Sequence, residues 1–166
     1  MKKPGFTIIE LIIVVTVIGI LATIATLSYS GYINRANDAA VRADLEEIAG
    51  LLESYRVNPN NSTRFPSTKP ILDTLGIKAT KKAYQNTISV NLVYCLSTTG
   101  TDAYQAYKVF AESKSGAIFM MTQDGFKPTT ITQSDFSSSL CPTQSLTLVS
   151  EGMYQPDNWQ TWVGDN

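Results

Sequence analysis

The sequence predicts an α+β protein, a long amino-terminal helix packed on a small antiparallel sheet, and three observations carry that prediction. From Ile8 to Leu27 the chain holds one charge, Glu10, and the next is Arg35. From Ile33 to Tyr55 apolar residues recur at intervals of three and four, the spacing of one helix face. From Ile88 onward, short segments suited to strands are parted by glycine-containing turns, and the first of them alternates with a period of two.

Composition narrows the function. The 166 residues are 43% hydrophobic and 16% charged, leaner in charge than an average soluble protein, and the apolar excess sits at one end. Thirteen Lys+Arg against 14 Asp+Glu leave a net charge of -1 with no basic block, so nucleic-acid binding is not suggested by charge. Histidine is absent, which removes Ser-His-Asp and Cys-His nucleophile activation and imidazole metal ligation together. No GxGxxG, GxxxxGK[ST], GxSxG or SxxK pattern occurs and no acidic spacing resembles an EF-hand. Glu46 and Glu47 are adjacent, about 100° apart on a helix, which is poor geometry for shared acid–base work. The loop acids Asp124, Asp135, Asp157 and Asp165 read as solvated side chains. No catalytic residue, metal site or cofactor is expected, and the chain does not read as an enzyme.

The apolar run is long enough to span a bilayer. Lys2 and Lys3 stand just before it, which predicts a single-pass precursor of the cytoplasmic membrane with its amino end inside. A cleaved secretory signal would have a shorter apolar region ended by a small-residue site; Ala22 and Ala25 imitate such a site, but here the apolar segment runs on into more helix. Glu10 is the anomaly, because a carboxylate there costs a few kcal/mol unless something pairs with it.

Gly5-Phe6-Thr7-Ile8-Ile9-Glu10-Leu11 followed by an unbroken aliphatic helix resembles the amino terminus of type IV prepilins and related pseudopilins. The resemblance covers the first third of the chain. It implies that a prepilin peptidase cuts after Gly5, that the new terminal residue Phe6 is N-methylated, and that Glu10 serves assembly by facing the amino-terminal amine of a neighbouring subunit. Two groups costly in a hydrocarbon-like bundle satisfy each other there, and cleavage creates the partner Glu10 lacks in the precursor. Gly19 matches a helix-weakening position of the family, whereas Leu27 stands where many type IV pilins carry a proline, and Leu27 cannot remove a hydrogen bond as proline does. Gly31 is a second weak point.

Beyond the apolar run, Ile33, Ala36, Ala40, Leu45, Ile48, Leu52 and Tyr55 form one stripe of an amphipathic continuation of the same helix. Asp38 and Arg42 stand at i,i+4 as a favourable pair, and nothing breaks the helix decisively before Asn58-Pro59. Phe6 to about Val57 would measure roughly 78 Å at 1.5 Å per residue. The domain reading is therefore a leader over 1–5, a membrane or filament-core helix over 6–34, an amphipathic half over 35–57 and a sheet-based head over 58–166.

Asn58 to Thr63 is a turn-rich connector in which Asn60 and Asn61 each begin an N-x-[ST] sequon, a pattern common by chance. A short helix is expected near Pro70 to Leu75, closed by Gly76. Strands are expected over Ile88–Leu96, Tyr104–Ala111 and Ala117–Thr122, joined by turns at Gly100 and at Lys114-Ser115-Gly116 and ended by Gln123-Asp124-Gly125. Cys95 and Cys141 are one disulfide or two free thiols. The outward topology favours a bridge, which would resemble the disulfide bounding the carboxy-terminal loop of many type IV pilins. The segment from Ser145 to Asn166 is left as a tail whose Tyr154, Trp159 and Trp162 pack on the head, line subunit contacts or form an adhesive patch.

The functional reading is a structural subunit of a type IV pilus, found finally in an extracellular filament. The implied partners are itself in a helical homopolymer, prepilin peptidase, the pilus assembly machinery of the inner membrane, and lipid before assembly. Motility, adhesion to surfaces and DNA uptake follow as properties of the filament. The alternatives are a type II secretion pseudopilin and a non-polymerising membrane-anchored binding module.

Overall fold

Threonine at position 7 opens a helix, α1, that continues without interruption over Ile8–Val57 in the computed structural model of the chain. Neither Gly19 nor Gly31 breaks it. The structure describes residues 5–61, 63–84, 90–101, 103–137, 139–143, 146–155, 158–160 and 162–165, with backbone only at 26–28, 143, 153–155, 158, 160 and 165. These divide into two compact units, 1–35 and 36–166.

In the first unit every residue whose side chain is described is exposed. In the second, Val41, Leu45, Ile48 and Leu52 form a fully buried stripe at the +4, +3, +4 spacing of one helix face. The stripe starts later than the sequence suggested, since Ile33 and Ala36 are exposed. Asp38 accepts a hydrogen bond from the Ser115 hydroxyl at the turn between two strands, which marks the end of the sheet surface available to the helix. The expected Asp38–Arg42 pair does not form. Arg42 lies over the rings of Phe119 and Phe126, 4.6 and 5.4 Å from their centroids, and a double cation–π contact outweighs an exposed i,i+4 ion pair of about 0.3–0.5 kcal/mol.

A 3₁₀ turn over Pro59–Asn61 follows, then α2 (Lys69–Thr74), ended by Gly76 at φ +64°. The Asn61 side-chain nitrogen donates to the Tyr55 carbonyl at 2.8 Å, an engaged position rather than an open glycan acceptor. Strand β1 (Lys78–Ala79) pairs in parallel with β8 (Gly164–Asp165). The main sheet comprises β2 (Leu92–Leu96), β3 (Tyr107–Glu112), β4 (Ile118–Thr122), β5 (Gly125–Lys127), β6 (Thr147–Gln155) and β7 (Asn158–Gln160), in the order β5-β4-β3-β2-β6-β7 with every pairing antiparallel.

The three expected strands are therefore present and adjacent, but each starts later. Ile88 lies outside the described residues. The tail supplies two further strands, β6 and β7, and β6 pairs with every residue of β2 and leaves β2 central. Gln123-Asp124-Gly125 ends β4 as expected, and the chain turns there into a further strand, β5, with Gly125 at φ +98°.

The sheet is buried on both faces. Leu92, Tyr94 and Leu96 meet Val109, Ala111 and the α1 stripe in the larger core. Val93 and Cys95 meet Phe110, Phe136, Leu140 and Cys141 in a second cluster on the opposite face. Trp159 and Trp162 are 6% and 3% exposed, and Trp159 stands edge-on to Tyr84 while its indole nitrogen donates to the Ala79 carbonyl. Both tryptophans are core residues of this unit, not an adhesive patch.

Buried carboxyls fasten helix and loop to the sheet. Asp44 accepts from the backbone N–H and the hydroxyl of Thr80, at 2.7 and 2.9 Å, and burial still holds its acid above the usual aspartate range. Glu112 accepts from Gln133 Nε2 at 2.6 Å, and burial raises it likewise.

Candidate functional site

The start of α1 carries the sequence-predicted site. Thr7 N–H donates to Glu10 Oε2 at 2.8 Å, the Thr7 hydroxyl donates to the same oxygen at 2.7 Å, and Glu10 N–H approaches Thr7 Oγ1 at 3.4 Å. This is a reciprocal capping box, Thr at the N-cap and Glu three residues on, which satisfies amides the helix itself leaves without partners. Before cleavage Glu10 therefore has hydrogen-bond donors in Thr7, which are distinct from the cationic partner expected of a neighbouring subunit. In the sequence the pattern is Thr7-x-x-Glu10 at the start of the apolar run, the spacing of a capping box. Both bonds fall on Oε2, so the carboxylate retains an acceptor oxygen, Oε1.

Gly5 and Phe6 precede this cap in irregular backbone, and Phe6 is 81% exposed. Among the described residues from Phe6 to Ile24, thirteen large apolar side chains are 46–81% exposed. At about 1.5–3 kcal/mol for full burial of each, leaving that surface in water forfeits on the order of 20 kcal/mol. The polar side chains inside the run do not offset this. Thr16 and Thr23 donate their hydroxyls to the carbonyls of Ile13 and Ile20, at 2.8 and 2.7 Å, and so present no free donor to an apolar surrounding. Among the described residues this is the one helix long and apolar enough to cross a membrane.

Cys95 and Cys141 form a disulfide, with their Cα atoms 5.4 Å apart and both residues fully buried. β2 positions Cys95, and α3 (Leu140–Thr143) positions Cys141. The bridge, Glu112–Gln133 and the second apolar cluster together hold Ile131, Gln133, Phe136, Leu140, Cys141 and Leu146 over the sheet face away from α1. Among the described residues no group of acids and cysteines is arranged to hold a metal ion.

Fold and site define a class: an α+β protein whose membrane-length, solvent-incompatible helix opens on a capped glutamate just after Gly5-Phe6. Residues 1–26 match the family model of the prokaryotic N-terminal methylation motif, which is the type IV prepilin signature. No curated protein and no solved structure matches the chain. The motif supports a protein of the type IV pilin or pseudopilin type, a structural class and not an enzyme class. It implies prepilin-peptidase processing and pilus assembly in general, and with the apolar helix it suits a membrane-anchored precursor.

Proposed function

We propose that this chain is the structural subunit of a type IV pilus filament. The carrying observation is the conjunction of the prepilin motif with a fully exposed apolar helix that finds no partner among the described residues of its own unit. In the precursor, lipid covers that surface; in the filament, copies of the same helix do. Residues 1–5 are the leader, 6–34 the membrane and filament-core helix, 35–57 its amphipathic half and 58–166 the head.

Processing after Gly5 by prepilin peptidase frees Phe6, whose methylated amine is a cation in an apolar setting. Glu10 of a neighbouring subunit neutralises it. The capping box supports this role, because Oε2 stays on Thr7 while Oε1 accepts from the incoming amine, so the helix end need not unravel. The inner-membrane assembly machinery supplies the work of extraction, and motility, adhesion or DNA uptake belong to the finished filament. By family resemblance, the Cys95–Cys141 bridge favours a pilin over a secretion pseudopilin.

Intact-mass and peptide analysis of material sheared from producing cells, without reduction, tests the reading. A fibre built of chains that begin at methylated Phe6 supports it. Chains retained in the membrane with residues 1–5 attached would refute it and leave an anchored binding module as the better account.

A further inference from the structure

We infer that the crevice between the 58–67 connector and the 97–104 loop binds an acidic carbohydrate. The crevice is about 360 Å³ and is lined by Tyr55, Asn60, Asn61, Arg64, Phe65, Ser67 and Tyr104. Half-buried Tyr55 and Tyr104 stand in its walls, one guanidinium offers a planar fork of donors, and amide and hydroxyl side chains stand between them. A pyranose presents that complement: C–H groups on one face for an electron-rich ring, and adjacent hydroxyls that donate and accept in pairs.

The cation sets the charge of the ligand. Arg64 is held over the Tyr104 ring at 5.2 Å and forms no ion pair with a described carboxylate, whereas Arg56, nearby, is paired with Glu53. A guanidinium held over a ring in this way is restrained in place, and its planar fork can make two parallel bonds to a carboxylate. Asn60 and Ser67 are exposed, and neither side chain makes a hydrogen bond to another described residue.

Backbone strain gives the crevice a second mark. Among the described residues, Thr63 at φ +60° and Tyr104 at φ +65° are the two non-glycine residues in the left-handed region, and they flank this one crevice. For a β-branched and an aromatic residue that conformation is unfavourable and persists only where the surroundings impose it. Here they do so for Tyr104: its N–H donates to the Ser97 carbonyl at 2.6 Å, and its own carbonyl accepts from Phe65 N–H at 2.9 Å. The two loops are thereby bolted together with the Tyr104 ring fixed in the wall.

The test is a saturation-transfer NMR titration of the full-length chain, in a detergent without a sugar headgroup, with D-glucuronate and with D-glucose. Saturable binding of glucuronate is expected, at least about tenfold tighter than glucose, since a bond to a charged group contributes more than one between neutral groups. Arg64→Ala should weaken glucuronate about tenfold or more and leave glucose little changed. Tyr104→Gly, which accepts the left-handed backbone but removes the ring, should weaken both sugars. Non-saturable signals, equal affinity for the two sugars, or glucuronate binding unchanged in Arg64→Ala would each overturn the inference. A dispersed chain is used, so the result does not depend on whether the chain polymerises.

Discussion

Two stretches of α1 solve the same problem in opposite ways. Between Val41 and Leu52 the helix carries one apolar stripe, and that stripe is fully buried against its own sheet while Glu46 and Glu47 face outward. Between Ile8 and Ile24 it is apolar on all sides, and every side is exposed. An amphipathic helix matches a partner of limited width, which one domain can supply. A helix apolar all round needs a surrounding medium, whether lipid or copies of itself, which a single sheet cannot give. The difference separates the stretch whose apolar surface its own unit buries from the stretch whose apolar surface its own unit leaves exposed.

That contrast can be broken most sharply at Glu10. Glu10→Ala should reduce sheared filament by more than about tenfold in a quantitative blot while the chain is still cleaved after Gly5, because removing an ionic partner from an apolar bundle leaves the other charge uncompensated. Filaments at normal yield would separate the apolar helix from assembly. Next in size are paired leucines. Leu45→Ala should lower the unfolding free energy of the full chain in detergent by about 2–5 kcal/mol, whereas Leu21→Ala should leave the denaturant midpoint of residues 36–166 unmoved. A shift for Leu21→Ala would show that the two stretches are energetically one.

The disulfide should contribute about 2–4 kcal/mol for its 46-residue separation, read as the midpoint difference between wild type and the Cys95→Ser, Cys141→Ser double variant. A smaller, signed effect belongs to Glu112. Its acid is raised in the fold, so the unfolded chain ionises first as pH climbs. The corresponding stability is full below the ordinary glutamate value and is lost through the folded value above it. Glu112→Gln keeps an oxygen for Gln133 and should flatten the fall in stability across that window; a variant with the wild-type slope would rule Glu112 out as its source. The smallest effect is at the helix start, where Thr7→Val should speed amide exchange at residues 8–10 without altering exchange in the sheet.

The sequence disclosed the amino-terminal half of the fold because the signals there are local. A twenty-residue run with a single charge, a stripe at three and four, and Gly5-Phe6-x-x-x-Glu10 are each read within one window. β2, β3 and β4 were legible for the same reason, with turn glycines at 100 and 116 that adopt positive φ. The strand β6 was missed because Thr147-Leu-Val-Ser-Glu-Gly alternates weakly, and its place beside β2 depends on a partner more than fifty residues away. Arg42 was misread for a related reason. The i,i+4 rule sees its own helix, whereas the rings of Phe119 and Phe126 are brought to it only by the folded sheet. The crevice around Tyr104 left no pattern in the sequence at all, since its two walls come from loops joined by backbone bonds.

The position of β6 also sets a timetable. A chain made from its amino end has β2, β3, β4 and β5 available long before residue 147 appears, and until then β2 is an open edge with unsatisfied N–H and carbonyl groups. The sheet closes only when nearly the whole polypeptide has emerged. The late partner must also be chosen over any other strand that reaches that edge first, including a neighbour's β6. Cys141 precedes the start of β6 by six residues, so oxidation with Cys95 tethers the correct strand beside its slot and turns an encounter between distant segments into a local one.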